Sequence, residues 1–122
     1  ASPVMAHDIN EVEEMTSKAS ALVLNIGTLS VANIPAYLKA GITAKERGIP
    51  VVFDPVGVGA TKQRTEVAKA ILADVQPDII RCNMTELNVL CHRKVAVKGV
   101  DSVASEAGCG EFAREFAEKT IL

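Results

Sequence analysis

The stretch Ile49-Pro-Val-Val-Phe-Asp-Pro-Val-Gly-Val-Gly-Ala-Thr61 places an acidic residue directly after an apolar run and follows it with proline and two glycines. The run from Val51 to Phe53 is short and bounded by prolines, which is typical of a buried strand. Asp54, Gly57 and Gly59 belong to a loop in which a carboxylate and the backbone can approach a small ligand. The stretch therefore predicts a strand whose carboxyl end contributes to a binding site.

The rest of the chain alternates short apolar runs with segments of helical spacing. Asp8 followed by Glu11 predicts a capping box at the start of the first helix, and Gly48 before Pro50 predicts the end of the second. The predicted strands are 21–27, 51–53 and 95–97, with a strand that passes into a loop within 78–83 and a fifth strand opening at 120–122. The predicted helices are 8–19, 33–47, 61–75, 85–91 and 111–119, with a looser stretch at 102–110. This alternation predicts an α/β fold with a mostly parallel sheet.

Polar residues follow three of the predicted strands at the point where each strand ends. The segments are Asn25 to Thr28, Asp54 to Gly57, and Arg81 to Asn83 with Glu86 close behind. Ligands of open parallel sheets bind beyond the carboxyl ends of the strands. We therefore expect the three segments to lie along one rim of the sheet.

The residue types on this rim predict a magnesium–nucleotide site. Asp54 and Glu86 are costly to place around one cavity unless a cation compensates their charge. Magnesium prefers few carboxylates together with water and phosphate oxygens. Arg81 offers a planar fork suited to phosphate. Gly57 and Gly59 allow backbone amides to approach an anion.

Each rim residue also has a structural interpretation. Asp54 before a proline is compatible with an ordinary turn that caps the next segment. Arg81 could form a bridge to one of the two carboxylates and do nothing else. Glu86 could be solvated on a short helix, and Asn25 could satisfy a loop amide.

The composition favours one small domain that binds neither nucleic acid nor membrane. The chain has 122 residues, 48% of them hydrophobic, a net charge of −2 and few aromatics. There is neither a basic stripe nor a stacking platform for nucleic acid. No apolar run reaches the ~20 residues of a membrane span, and no signal peptide is recognisable. The odd number of cysteines, Cys82, Cys91 and Cys109, argues against a disulfide framework and favours a reducing, cytoplasmic location. No pair of them has zinc-finger spacing.

The two ends of the chain suggest a fragment. The residues from Ala1 to Met5 resemble the inside of a protein, and the last three residues open a strand that nothing covers. We therefore expect one partial domain over residues 1–122. By residue type Met5 is more often a core residue than a ligand contact, and His7 is expected at the surface.

Several blocks of the sequence resemble the hydroxyethylthiazole kinase family of thiamine biosynthesis. These blocks are Ala1–Ala6, Ala21–Leu29, Gly48–Thr61, Arg64–Thr65, Ile80–Asn83 with Glu86, and Lys98–Asp101. The resemblance implies a three-layer ribokinase-like fold. It also implies transfer of the ATP γ-phosphate to the hydroxyl of 4-methyl-5-(2-hydroxyethyl)thiazole. Family members are usually homotrimers with active sites between subunits.

The resemblance also implies roles for individual residues. Met5 matches the thiazole contact, and the rest of the substrate pocket corresponds to Asn25, Gly27 and Thr28. Asp54 matches the catalytic acidic residue near Mg²⁺ and the transferring phosphate.

On the nucleotide side, the resemblance places Arg81 at the ATP phosphates together with Asn83. Asn83 and Glu86 match the pair that helps to hold Mg²⁺, with Asp54 as the second acidic group.

The chain departs from the family pattern at two places and lacks one segment. Cys82 stands where the family usually has glycine, and Cys91-His92 replaces a small glycine-containing turn. A Gly-Thr-Gly-Cys-like segment, which forms the family's anion hole, does not occur. Phosphoryl transfer relies on positioning and charge stabilisation, so we expect residues 1–122 alone to be inactive or nearly so.

Two other functions stay open at this stage. Another ribokinase-like vitamin kinase, for hydroxymethylpyrimidine or pyridoxal, would share the architecture. A non-catalytic α/β binding domain derived from a kinase would explain the short chain and Cys82.

Overall fold

A computed structural model describes residues 2–97 and confirms the α/β architecture. In chain order the elements are α1 (Val12–Ser17), β1 (Leu22–Asn25), α2 (Ile34–Arg47), β2 (Val51–Asp54), α3 (Lys62–Ala70), a π-helical turn (Ile71–Val75), β3 (Ile79–Ile80) and α4 (Met84–Val97). The strands form one sheet in the order β1-β2-β3, and both pairings are parallel. The predictions for residues 102–122 lie outside the described residues.

The register of the sheet brings the strand ends to one level. Asn25 is paired with Asp54, so that β1 and β2 end side by side. Ile80 of β3 is paired with Phe53, and the amide of Arg81 donates to the Phe53 carbonyl at 2.8 Å. The residues that follow the three strands therefore start next to one another.

One face of the sheet forms the core. Leu24, Val51 and Phe53 point into it and are buried. Helix α2 packs over β1 and β2. On the other face, the register aligns Val23, Val52 and Ile79 in a row, and within residues 2–97 Val23 and Ile79 stay 63% and 51% exposed. The described part of the chain therefore covers one face of the sheet.

Helices α2 and α3 begin and end as the sequence predicts. Pro35 lies in the first turn of α2, where its missing amide costs nothing, and Gly48 ends the helix with φ of 69°. Thr61 caps α3 by accepting the amide of Arg64 at 3.1 Å. The helical path continues through the π-helical turn to Gln76, whose φ of 53° ends it.

Two predictions of secondary structure are wrong. The predicted capping box at Asp8 does not form: its carboxylate accepts the amide of Asn10 at 2.7 Å, in a local turn, and α1 begins only at Val12. The predicted strand 95–97 belongs to α4, which extends to Val97. A short apolar run cannot be assigned to a strand or a helix from periodicity alone.

None of the helices within residues 2–97 is both long and apolar enough to cross a membrane.

Gly41 on α2 provides the first testable feature of the packing. A Cβ at this position would lie 2.4 Å from Cγ2 of Val75 in the π-helical turn. We expect Gly41→Ala to lower the free energy of unfolding by about 1–2 kcal/mol, because overpacking outweighs the gain of ~1 kcal/mol in helix propensity. Urea denaturation measures this loss.

A double-mutant cycle with Val75→Ala isolates the contact. In the Val75→Ala background, Gly41→Ala should cost clearly less than it does alone. An equal cost in both backgrounds would show that another contact limits the packing of α2.

Candidate active site

The predicted rim forms where the three strands end. Asn25 donates from Nδ2 to Oδ2 of Asp54 at 3.3 Å, and Nη1 of Arg81 lies 4.0 Å from the same oxygen. The carboxylate of Asp54 thus lies between an amide and a guanidinium from the two neighbouring strands. The structure brings these predicted site residues together.

The loop after β1 is held by the side chain of Asn25. Its Oδ1 accepts the amide of Gly27 at 2.8 Å, while its carbonyl accepts the hydroxyl of Tyr37 at 2.8 Å. The alternative interpretation, in which Asn25 satisfies a loop amide, is therefore correct and coexists with its place on the rim. Thr28 is exposed at the turn, where its carbonyl accepts Nδ2 of Asn33 at 3.2 Å.

Glu86 is half-buried and bonded rather than solvated. Its Oε2 accepts the amide of Asn83 at 3.0 Å, and Oδ1 of Asn83 accepts the amide of Glu86 at 2.8 Å. This reciprocal pair is a capping box at the start of α4. The spacing Asn83-x-x-Glu86 could have predicted it. Oε1 of Glu86 also accepts the amide of Gly57 at 3.3 Å, which ties the loop after β2 to α4.

The two glycines of the loop after β2 do not offer free amides. Gly57 donates to Glu86, and the amide of Gly59 donates to Oγ1 of Thr65 at 3.0 Å. Their φ values of 76° and 90° and the close approach of Val89, 2.6 Å from a Cβ at Gly59, explain why glycine is needed. The expectation that these amides hold an anion is not supported by this arrangement.

An open cavity of about 470 Å³ lies between the glycine loop and the start of α4. The loop contributes one wall and α4 the other. The lining residues are Gly57, Val58, Gly59, Ala60, Asn83, Thr85, Glu86 and Val89. The cavity adjoins the rim through Glu86, and its walls combine apolar groups with a carboxylate.

Arg81 is an exposed charge on the rim. Its side chain is 83% exposed, and the one ion pair described for it, to the 17% exposed Asp54, is long at 4.0 Å. Such an exposed pair contributes little to stability. The guanidinium is therefore available to an anionic ligand, which favours the binding interpretation over a purely structural bridge.

Comparison with known proteins decides the family. The family model described as the hydroxyethylthiazole kinase family matches residues 1–122. The chain belongs to the hydroxyethylthiazole kinase family. It is 49% identical over 117 residues to a hydroxyethylthiazole kinase of Desulfatibacillum aliphaticivorans, an alignment that covers 96% of this chain and 44% of that protein. It is 46% identical over 122 residues to one of Methanocella arvoryzae, covering 100% of this chain and 46% of that protein.

A solved structure supports the same assignment. The hydroxyethylthiazole kinase protein from Pyrococcus horikoshii OT3 matches with a TM-score of 0.77 and 40% identity, over 95% of this chain and 43% of that one. Its ribokinase-like α/β fold agrees with the parallel sheet described above. The chain thus spans somewhat less than half the length of the hydroxyethylthiazole kinases that it matches.

Cys82 is the departure from the family pattern closest to the rim. Its side chain is half-buried beside α4. Burial raises the pKa of the Cys82 thiol, and the carboxylates of Glu86 and then Asp54 raise it further. In the sequence Cys82 lies between Arg81 and Asn83, two of the predicted rim residues.

This environment predicts how the alkylation rate of Cys82 depends on pH. Because its pKa is raised, the thiol stays protonated to higher pH, and its reaction with iodoacetamide should accelerate only above the pH at which the urea-unfolded chain reacts. Mass spectrometry of the peptide that contains Cys82 gives the rate. Asp54→Asn, which removes one negative charge, should shift the profile back toward the unfolded one. Identical profiles for the folded and unfolded chains would contradict this environment.

Met5 and His7 lie in the segment before α1. The core interpretation of Met5 is wrong, because its side chain is 80% exposed. His7 is at the surface, as predicted. The role of Met5 as a thiazole contact stays a prediction.

Within residues 2–97, no three His, Cys, Asp or Glu side chains are close enough together to hold a metal ion. A metal on this rim would therefore need ligands besides Asp54 and Glu86. Magnesium, which keeps water and substrate phosphate oxygens in its coordination shell, fits this donor set better than zinc.

The structure reveals one residue whose position the sequence did not explain. Arg64, in the first turn of α3, donates from Nη1 to the carbonyls of Ile26 at 2.6 Å and Val56 at 2.8 Å. Its Nη2 donates to the carbonyl of Gly27 at 3.0 Å. Arg64 and Thr65 carry part of the family resemblance, but nothing in their spacing indicated that the arginine reaches two strand-end loops.

Proposed function

We propose that the complete gene product carrying residues 1–122 transfers the γ-phosphate of ATP to the hydroxyl of 4-methyl-5-(2-hydroxyethyl)thiazole, in thiamine biosynthesis. Membership of the hydroxyethylthiazole kinase family over the whole of the chain carries the proposal. The rim formed by Asn25, Asp54 and Arg81 supports it, because these are residues to which the resemblance assigns substrate and phosphate roles.

In this proposal the protein contributes mainly position and charge, as phosphoryl transfer requires. Arg81 binds the ATP phosphates with its exposed guanidinium, and Asn83 contributes from the start of α4. Asp54 is the catalytic carboxylate, held by Asn25 at the point where the hydroxyl and the phosphate meet. Its orientation is fixed before the substrate arrives, so little reorganisation is needed at the reaction step.

Mg²⁺ is proposed to bind through Asp54 and Glu86. Each oxygen of Glu86 already accepts one backbone amide but keeps a second lone pair for a cation or its water. When bound, the ion neutralises phosphate charge. The protein's own part is to hold Glu86 at the wall of the cavity and Asp54 beside Asn25 and Arg81 on the rim.

We propose that the thiazole is held by Asn25, Gly27 and Thr28 together with Met5. Met5 and Thr28 are exposed in the single chain, which is compatible with a pocket completed by a neighbouring subunit. The family resemblance implies a homotrimer, and we propose a cytoplasmic location from the composition of the chain. Size-exclusion chromatography with light scattering tests this state directly.

Residues 1–122 alone are proposed to be inactive. Within the described residues, the amides of Gly57 and Gly59 are engaged by Glu86 and Thr65 and do not form an anion hole. Removing anion-hole donors costs orders of magnitude in rate. We expect the complete gene product to phosphorylate the thiazole alcohol and residues 1–122 to do so at least 100-fold more slowly. Equal rates would contradict this proposal.

A panel of alcohols separates the thiazole kinase from related vitamin kinases. The complete gene product is supplied with Mg-ATP and, in separate reactions, the thiazole alcohol, hydroxymethylpyrimidine and pyridoxal. We expect ATP consumption with the thiazole. Activity on the pyrimidine or pyridoxal, and none on the thiazole, would overturn the substrate assignment.

A non-catalytic binding domain is the second candidate, favoured by the half-buried side chain of Cys82 between the rim residues Arg81 and Asn83. Isothermal titration with the thiazole, with and without Mg-ATP, distinguishes the two. Thiazole binding without any ATP consumption by the complete gene product would favour the binding domain. Replacing Cys82 by Gly would then be the variant expected to restore turnover if the side chain obstructs it.

A further inference from the structure

We propose that Arg64 is a positioning residue for the thiazole site, acting as a clamp that fixes the loop after β1 against the loop after β2. The clamp's role in substrate binding rests on the proposed kinase function. The claim that Arg64 fixes the two loops against each other is independent of that function. Arg64 touches neither substrate nor phosphate in this proposal and acts through the backbone of the two loops.

The geometry places one guanidinium between the two loops. Two of its acceptors, the carbonyls of Ile26 and Gly27, belong to the loop after β1. The third, the carbonyl of Val56, belongs to the loop after β2. Hydrogen bonds from a charged donor are stronger than neutral ones. Three such bonds therefore tie the segment of Asn25 to Thr28 to the segment that starts at Asp54.

The base of the clamp is itself fixed. The amide of Arg64 donates to Oγ1 of Thr61, which caps α3, so the side chain starts from an ordered helix end. Gly57 makes room for the aliphatic stem, because a Cβ there would lie 3.1 Å from Cδ of Arg64. The glycine of the loop after β2 thus has a second reason for lacking a side chain.

Lysine cannot replace this arginine. Arg64 reaches three acceptors with two nitrogens of one rigid plane, whereas an ammonium group is a compact charge on a flexible stem. The side chain is half-buried, and an unsatisfied carbonyl in such a place is costly. Loss of the Arg64 guanidinium should therefore release the two loops from each other while α3 stays folded.

Loss of the clamp should affect the two proposed substrates differently. Gly27, whose carbonyl is one of the clamped acceptors, is also one of the residues proposed to bind the thiazole. Arg81 and Asn83, proposed to bind ATP, follow β3 and are not contacted by Arg64 in the described structure. Loosening the clamp should weaken binding of the thiazole far more than binding of ATP.

The kinetic test uses Arg64→Lys and Arg64→Ala in the complete gene product. We expect the KM for the thiazole alcohol to rise about tenfold or more, with kcat within about threefold and the KM for ATP unchanged. Arg47→Met is the matched control: it removes an exposed arginine on α2 whose side chain makes no hydrogen bond in the described structure. A uniform loss of activity without the KM split would overturn the positioning role.

Chemical rescue separates the clamp from a general loss of stability. Low millimolar guanidinium should restore thiazole binding to Arg64→Ala by filling the space that the arginine side chain has left and donating to the same three carbonyls. The same concentration of urea, and guanidinium added to Arg47→Met, should restore nothing. A variant that is merely destabilised would gain nothing from guanidinium, because a low millimolar concentration neither fills a specific site in it nor changes its stability measurably.

Amide hydrogen exchange tests the clamp without any enzyme activity. In the 122-residue chain, Arg64→Lys should accelerate exchange of the amides in 26–29 and 56–60 together, while those of α2 and α3 stay unchanged. Unchanged exchange in both loops would overturn the clamp. If the exchange result holds but the wild-type gene product phosphorylates no thiazole, the proposed function fails and the structural clamp stands.

Discussion

The substitution Asp54→Asn is expected to lower kcat of the complete gene product about 100- to 1,000-fold, because the variant loses the preorganised charge at the rim. The fold should survive, since an asparagine oxygen can still accept the hydrogen bond that Asn25 donates at 3.3 Å. Thermal unfolding should therefore differ little from that of the wild-type protein. Steady-state phosphorylation of the thiazole alcohol gives the rate.

Asp74→Asn is the control for this variant. Asp74 is exposed in the π-helical turn that precedes β3, on the side where the strands begin rather than on the rim, so its neutralisation should leave kcat unchanged. A kcat of Asp54→Asn within threefold of the wild type would show that the rim carboxylate does not act in the reaction. The Mg²⁺ concentration that gives half of the residual activity should also rise, because one of the two proposed carboxylate ligands is gone.

Phe53→Ala is expected to cost the largest amount of stability, about 3–5 kcal/mol in the free energy of unfolding. Phe53 is fully buried, with 0% of its surface exposed, on the middle strand of the sheet. Its removal leaves a cavity between the sheet and the helices that cover it. A loss of this size is comparable with the whole stability of a small domain, so the unfolding midpoint in urea should fall steeply.

Val23→Ala is the matched control because Val23 lies on β1 but faces the exposed side of the sheet. It should cost less than about 1 kcal/mol, the range of strand-propensity effects. Equal costs for the two substitutions would show that the face assignment of the sheet is wrong.

Much of the fold followed from the sequence because its signals are local. The apolar run before Asp54 and the glycine and proline that end α2 are fixed by backbone chemistry within a few residues. The predicted strand 95–97 failed for the opposite reason. A short apolar run has no periodicity of its own, and α4 includes it.

The site could be predicted only in part. Polar residues after parallel strands predicted that Asn25, Asp54 and Arg81 would meet. The hydrogen-bond partners could not be predicted, since they depend on loop geometry. Gly57 was expected to offer its amide to an anion, but the amide is taken by Glu86. The role of Arg64 could not be predicted, because its three acceptors are backbone carbonyls, which every residue carries.

The most direct test of the central claim is phosphorus NMR of the complete gene product incubated with Mg-ATP and the hydroxyethylthiazole alcohol. The account predicts a phosphomonoester signal coupled to the methylene protons of the thiazole side chain, which grows as ADP forms and is nearly absent with Asp54→Asn. Formation of inorganic phosphate alone, or no consumption of ATP by a folded protein, would contradict it.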